Sequence, residues 1–278
     1  MASDARLQAL GHFLTRHQRV LVLTGAGIST GSGIPDYRDK NGDWKRPAPM
    51  QFNDFVTNAA SRQRYWARSM IGWPRIKQAR PNAAHKALRQ LESAGLIGNL
   101  VTQNVDRLHQ RAGSASAIDL HGRLDQVQCM KCAHVQSRED YQATLKALNP
   151  AWIVHDATTA PDGDADLDGI DFSSFVVPPC PECVGVVKPR VVFFGESIPA
   201  ATTRTANAAL DEADALLVIG SSLMVFSGFR FARTMARRGR PIAMINRGRT
   251  RADDLIGLKL EADISESLTQ LARQSAAG

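Results

Sequence analysis

No apolar run in this 278-residue chain approaches the ~20 residues needed to cross a bilayer. That excludes a helical membrane anchor within it. The N-terminal stretch MASDARLQALGHFLTRHQ lacks the unbroken apolar centre of a signal sequence and reads as an amphipathic helix, so a cytoplasmic protein is expected. Cysteine is scarce: four residues, too few and too regularly spaced for a disulfide scaffold. No internal repeat is visible, which excludes a solenoid. What remains, 44% hydrophobic and 22% charged, is an ordinary globular composition, with enough chain for one large domain or one and a half. The net charge of +7 favours anionic partners without specifying a fold, and RTMARRGR at 233–240 reads as a solvated basic surface.

The apolar run VLVLT (20–24) leads into GAGISTGSGIPDYR (25–38). A strand entering G-x-G brings backbone N–H groups towards a pyrophosphate. Two parts of the dinucleotide fingerprint are missing, however. Thr30 stands where a third Gly or Ala is wanted, and no acidic residue closes a second strand about 20 positions on. Any nucleotide held here is held in an unusual way.

Further strands are expected at 98–103, 117–122, 190–195, 215–220 and 242–246. Helical patterns lie between several of them. In PNAAHKALRQLESAG, for example, Pro81 marks the start and Gly95 the stop. Near-continuous apolar strands alternating with helices predict a doubly wound α/β core with a parallel sheet. The alternation breaks at 39–80 and 124–187. Ligands in such sheets sit beyond the carboxyl ends of the strands. Those ends read GAGIS, TQNVD (102–106), His121-Gly122, FFGE (193–196), GSS (220–222) and NRG (246–248). Singly each has a bland explanation: Asn104 or Asp106 as a helix cap, His121 as a structural group. Together on one sheet edge they point to a site.

The four cysteines fall as Cys129-x-x-Cys132 and Cys180-x-x-Cys183, two knuckles that predict tetrahedral zinc. With all four positions filled by protein, the metal is structural. Between the knuckles lies an acidic stretch, PDGDADLDGID (161–171). Aligned on a calcium loop from Asp164, it puts Phe175 where a bidentate glutamate is required, so it reads as a solvated loop.

GAGIS with GIPDYR, then TQNVD, a strand-ending HG, two C-x-x-C pairs, KPRVVFFGE, GSS and a late IN strand occur in the order and register of the sirtuins. The chain resembles these NAD-consuming protein-lysine deacylases over about residues 5–275. RQRYWARSMIGWP, PDGD and RADDL look most like the class II, lipoamidase-type members and their bacterial relatives. The resemblance implies a Rossmann-like lobe (1–38, 81–123, 188–278) and a smaller lobe made of a helical insertion (39–80) and a zinc module (124–187). Together they would form one catalytic unit over 1–278.

In that family NAD is a reactant, cleaved between nicotinamide and ribose, so no hydride-transfer geometry is needed. The resemblance assigns Ala26, Ile34, Asp36, Asn104 and Asp106 to the nicotinamide pocket, and Gly25, Gly27, Ser29, Pro35 and Val105 to the NAD site. Tyr37 stands where the family usually has Phe. Arg38 and Gln103 match contacts to phosphate or ribose; Gly220, Ser221, Ser222, Asn246, Arg247, Gly248 and Ile264 match the adenosine end. His121 matches the catalytic base, with Asn104 and Asp106 beside it. With an unperturbed imidazole, activity is expected to fall below about pH 6.5.

Val192 and Phe194 match the acyl-lysine tunnel, and Gly195, Glu196 and Val225 the strand that pairs with substrate peptide. Shortly after that valine the family's usual proline is replaced by Ser227. Tyr65 and Arg68, i and i+3 on a helix, resemble a pair that binds acidic acyl groups. The expected protein is thus a monomeric deacetylase or deacylase of acylated-lysine proteins, with NAD as co-substrate and one structural zinc. Mono-ADP-ribosyl transfer is the runner-up; a zinc-bearing nucleic-acid binder or an NAD(H) redox sensor is less favoured.

Overall fold

A computed structural model describes residues 2–45, 49–153 and 169–276. Most of the acidic stretch at 161–171, with its aspartates 164, 166 and 168, lies outside the described residues. In chain order the elements are α1 (Ala2–Arg16), β1 (Val20–Thr24), α2 (Phe52–Thr57), α3 (Ala59–Gln78), α4 (Ala83–Ser93), β2 (Leu100–Thr102), α5 (Leu108–Arg111), β3 (Ala117–Asp119), β4 (Gly122–Cys129), β5 (Val135–Ser137), α6 (Arg138–Leu148), β6 (Val187–Val191), α7 (Ala200–Glu212), β7 (Ala215–Ile219), α8 (Phe226–Arg237), β8 (Ile242–Ile245), β9 (Leu258–Leu260) and α9 (Ile264–Ala276).

Six parallel strands form one sheet in the order β3-β2-β1-β7-β8-β9. Every residue of β1, β7 and β8 is buried, as a sheet covered on both faces requires. The strand period of two separates the faces. Val20 and Val22 pack with α1, α4 and α9 through Leu10, Leu88 and Leu271. Leu21 and Leu23 pack with α7 and α8 through Leu210 and Phe231. The chain runs outward from β1 in both directions, so the crevice at the carboxyl ends of β1 and β7 is the switch point where such folds bind ligands.

The expected strand at 190–195 is displaced. Only Arg190 and Val191 of it are in a strand, with Val192 to Phe194 following outside: the two end β6 (Val187–Val191), which pairs antiparallel with β4 in a separate sheet, β5-β4-β6. Gly122 explains the turn into it: φ is +81°, and a Cβ there would run into the Arg190 carbonyl oxygen. The sixth strand of the parallel sheet is β9, which the apolar pattern does not reveal because Lys259 sits in its centre. Helix α4 starts two residues beyond Pro81, because the Asn82 side chain caps it by accepting from the Ala84 and His85 N–H groups. Gly95 ends it, as expected, in the left-handed region at φ +73°.

The small sheet, α2, α3 and α6 share a second core rich in aromatics: Phe55, Tyr65, Trp66, Tyr141, Phe175 and Phe193. Arg138, 1% exposed, lies between the rings of Trp66 and Trp73 and bonds Gln142 and Ser69.

Candidate active site

The turn after β1 is locked to the turn after β7. The Gly25 N–H donates to the Ile219 carbonyl and the Gly27 N–H to the Gly220 carbonyl, at 3.0 and 2.9 Å. A Cβ on Gly25 would meet Ser221 Cβ at 2.7 Å, and one on Gly27 would meet Gly220 Cα at 2.9 Å. These glycines therefore let two backbones touch, which explains the incomplete dinucleotide fingerprint. Their N–H groups are spent on the neighbouring turn rather than turned to a pyrophosphate.

Strand β2 delivers the next side chains. Asn104 uses both amide hydrogens, donating to the Gly25 carbonyl and to Ser29 Oγ at 3.1 Å each, so its oxygen is the atom left for a ligand. Ser29 donates onward to Asp106 Oδ2 at 2.7 Å, and Asp106 Oδ1 accepts from the Leu108 N–H at 2.9 Å. Asp106 thus closes a side-chain turn onto Leu108, the first residue of α5, while anchoring Ser29, and burial pushes its carboxyl up from the usual range. Gln103 donates from its side chain to Ser221 Oγ at 2.8 Å, tying the turn after β2 to the turn after β7.

His121 stands where the chain leaves β3 for β4, between the two sheets. Its carbonyl accepts from the Val192 N–H at 2.8 Å, joining it to the 192–196 segment. Nδ1 lies 3.0 Å from the Gln103 carbonyl and Nε2 2.8 Å from Ser227 Oγ. Burial pushes the imidazolium down to about 4, with the Gln103 carbonyl opposing. The ring is therefore neutral far below pH 6.5, and the expected acid limb, which assumed an unperturbed imidazole, moves down accordingly.

These groups line one cavity of about 500 Å³, within the size range of small-molecule and cofactor sites. Among the expected nucleotide residues its walls include Gly25, Ala26, Gly27, Ser29, Ile34, Asp36, Tyr37, Arg38, the run Gln103 to Asp106, the run Gly220 to Ser222, Asn246 and Arg247. Of the expected substrate residues, Val192, Phe194, Gly195, Glu196 and Val225 line it. Pro35, Gly248 and Ile264 do not. Gly248 instead admits the Lys40 carbonyl, which accepts from the Arg249 N–H, and Ile264 packs on the sheet core.

Tyr65 and Arg68 also stand outside the cavity lining. Tyr65 is 2% exposed, its ring edge-on to Phe55, Trp66 and Phe193. It sits one layer behind the wall, because α3 turns this face into the aromatic core. The Glu196 carboxylate is engaged at home too, accepting from the Phe193 N–H and Lys188 at 2.8 and 2.9 Å.

The sequence reading missed Trp44 and Lys45. Trp44 stacks under the Arg38 guanidinium and meets Tyr37 and Phe194 edge-on. Lys45 pairs with Asp36 at 2.5 Å. Both lie in a stretch rich in proline and charge, where only the tryptophan hinted at a wall.

The cysteines converge as their spacing predicts. The antiparallel pairing of β4 with β6 sets Cys129 opposite Val187, so the knuckle ending β4 lies beside the knuckle preceding β6. All four Sγ atoms fall within 4.8 Å of one another, with Cys129–Cys183 at 3.5 Å and Cys132–Cys180 at 3.7 Å. Tetrahedral zinc with bonds near ~2.3 Å spaces its sulfurs ~3.8 Å apart, so the donor set fits zinc. Each knuckle closes with a residue at φ +60°, Ala133 and Val184. Gly185 lacks room for a Cβ, which would meet Cys129 Sγ at 2.9 Å. Four protein sulfurs leave no open position, so the metal here is structural.

The fold and site have close counterparts. The Sir2 family model matches residues 25–227. An NAD-dependent protein deacetylase of Xanthomonas axonopodis pv. citri is 58% identical over 262 residues, 94% of this chain and 89% of that protein. NAD-dependent protein deacetylase 2 of Bradyrhizobium diazoefficiens is 57% identical, covering 95% of this chain and 97% of that protein. Among solved structures, a Sir2 protein with p53 peptide and NAD+ superposes with a TM-score of 0.75 at 30% identity, covering 98% of this chain and 99% of that one. With these relatives and a family match running from the first glycine turn to the start of α8, the chain belongs to the Sir2 family.

Proposed function

We propose that this chain is an NAD-dependent protein deacetylase: it cleaves NAD between nicotinamide and ribose and passes the acyl group of a protein lysine to ADP-ribose. The observation that carries the reading is the neutral His121, its Nε2 in the same cavity as Asn104 and the Gly25–Ser29 turn. Relatives at 57–58% identity bear that name, and a Sir2 structure at 31% identity holds a deacetylated p53 peptide with 3′-O-acetyl ADP-ribose.

NAD, when bound, supplies a ribose carbon that becomes electrophilic as nicotinamide leaves. Asn104, with its amide hydrogens occupied, offers its oxygen to the nicotinamide side, and Ser29, held by Asp106, fixes that turn. Arg38, Arg247 and Arg249 stand on the same walls with guanidinium forks suited to the diphosphate. His121 takes a ribose hydroxyl proton at Nε2, since Nδ1 keeps its own on the Gln103 carbonyl. Val192 and Phe194 provide an apolar passage for the acylated lysine, and Gly195, Glu196 and Val225 the edges on which substrate backbone pairs. The zinc holds the small lobe and takes no part in the chemistry.

The two-lobe division (1–38, 81–123 and 188–278 against 39–80 and 124–187) is proposed as the frame of the cleft. The class II, lipoamidase-type assignment is proposed on the RQRYWARSMIGWP and RADDL phrases. We also place the enzyme in the cytoplasm as a monomer: the cavity is complete within one chain, and no described helix is long and apolar enough to cross a membrane.

Mass-spectrometric measurement of nicotinamide release, with NAD and acetyl, glutaryl and lipoyl lysine peptides, tests the reading. Release by the wild type that requires both peptide and His121 is expected; the His121→Ala variant should yield no free lysine. Label from NAD left on a protein without loss of acyl groups would replace deacylation by ADP-ribosyl transfer.

A further inference from the structure

His121 is held at both ring nitrogens, and the second holder is the residue at which this chain departs from the family's usual proline. A carbonyl has no proton to give, so the 3.0 Å contact with the Gln103 carbonyl places the hydrogen on Nδ1. The neutral ring then accepts at Nε2, and the Ser227 hydroxyl, 2.8 Å away, is the donor. Ser227 is the second residue of α8, after the N-cap Val225. At that position the backbone N–H has no intrahelical acceptor, so a proline fits without breaking the helix and only the side chain decides what His121 meets.

The start of α8 is pinned to the other holder as well. Gly228 leaves no space for a Cβ beside Gln103 Oε1, and Gln103 Nε2 is fixed on Ser221 Oγ. Gln103, His121 and Ser227 therefore form one packed unit in which the ring cannot turn without breaking two hydrogen bonds.

We propose that Ser227 orients His121 while holding it in reserve: its hydroxyl occupies the single Nε2 lone pair on the cavity side and has to be displaced by the ribose hydroxyl before His121 receives the ribose proton. The inference rests on the deacetylase reading. Before that step Ser227 occupies Nε2. During it the serine keeps its own proton and yields Nε2 to the ribose hydroxyl, so the one bond broken is that O–H and the one formed is N–H at Nε2. Loss of nicotinamide precedes this transfer and does not draw on Nε2. Ser227 should therefore matter to deacylation and not to nicotinamide exchange.

The test compares wild type with Ser227→Ala, Ser227→Pro and Ser227→Thr, measuring deacylation of an acetyl-lysine peptide and exchange of labelled nicotinamide into NAD in the presence of the same peptide. Because the Ser227–His121 hydrogen bond is present before the transfer and broken during it, its loss is expected to raise kcat for deacylation by up to about tenfold in the alanine and proline variants. KM for NAD and peptide, and the exchange rate, should stay within about twofold of wild type, and threonine, which keeps the hydroxyl, should keep the wild-type kcat. If exchange and deacylation fall together, Ser227 merely supports the fold and the inference is overturned. Alanine and proline variants that deacylate no faster than wild type overturn it too. Wild type that releases no nicotinamide with any acyl peptide overturns the deacetylase reading itself, a failure distinct from the other two.

Discussion

Replacing Gly220 by alanine tests whether the glycine turns serve loop-to-loop contact. Two costs combine at this position. At φ +61° an alanine sits in the left-handed region, at a cost of ~1–2 kcal/mol. Its Cβ would also meet Ile28 N at 2.6 Å and the Gly27 carbonyl carbon at 2.8 Å, backbone atoms that cannot swing aside. Forcing the two turns apart adds overpacking strain of ~1–3 kcal/mol. Gly95 provides the control, since at φ +73° an added Cβ meets nothing within 4 Å and only the conformational cost remains.

At roughly 2–4 °C per kcal/mol, Gly95→Ala should lower Tm by about 2–8 °C and Gly220→Ala by a further ~2–12 °C. Thermal unfolding followed by circular dichroism reads both. Gly220→Ala should also raise KM for NAD, because the displaced turn carries Ser221 away from Gln103; Gly95→Ala, at the far end of α4, should leave KM unchanged. Equal Tm shifts in the two variants would refute the interlocking argument.

Two further outcomes follow from the structure. Metal analysis should find one zinc per chain, and chelation should abolish deacylation. Strand β4 runs from Gly122, next to His121, through a shift in its pairing with β6, to the zinc knuckle at Cys129, at most ~24 Å of strand whose far end loses its anchor; full activity in the stripped protein would contradict this. Acid stability should reflect three buried imidazoles. Burial holds His85 and His121 at about 4 and His109 well below its usual value, so between pH 6.5 and 4 the unfolded chain binds more protons than the folded one. The sign is therefore loss of stability as pH falls through that window, each group contributing a slope of up to ~1.4 kcal/mol per pH unit. Urea midpoints that do not change between pH 7 and 5 would show that the rings are not desolvated as the packing implies.

The parallel sheet was legible because β1, β7 and β8 are buried on both faces, which leaves uninterrupted apolar runs in the sequence. The zinc site was legible because thiolate coordination demands paired knuckles at short spacing. Strand β9 was not, because an edge strand tolerates Lys259, whose ammonium reaches the Gly248 carbonyl and Asp253. The expected strand at 190–195 was placed in the wrong sheet because apolar content marks burial and carries no information about which neighbour provides it. Tyr65 and Arg68 were assigned to the acyl site on a family resemblance and their i, i+3 helical spacing. Spacing shows that two side chains share a face, and packing decides that this face of α3 meets Phe55 and Phe193.

The residue types of the site were fixed by the chain itself, since G-x-G turns, Asn104, Asp106, His121 and two C-x-x-C pairs are written in its order. Their chemistry was decided by tertiary contact. Whether a glycine N–H faces a phosphate or a neighbouring turn, and which nitrogen of His121 is basic, depend on partners such as Gly220, Gln103 and Ser227, which fall within 3.0 Å only after the sheet has brought distant strand ends together. A hydrogen bond extends about three ångströms and desolvation acts over a few shells of atoms, so tautomer, pKa and loop register follow from proximity that no linear spacing encodes.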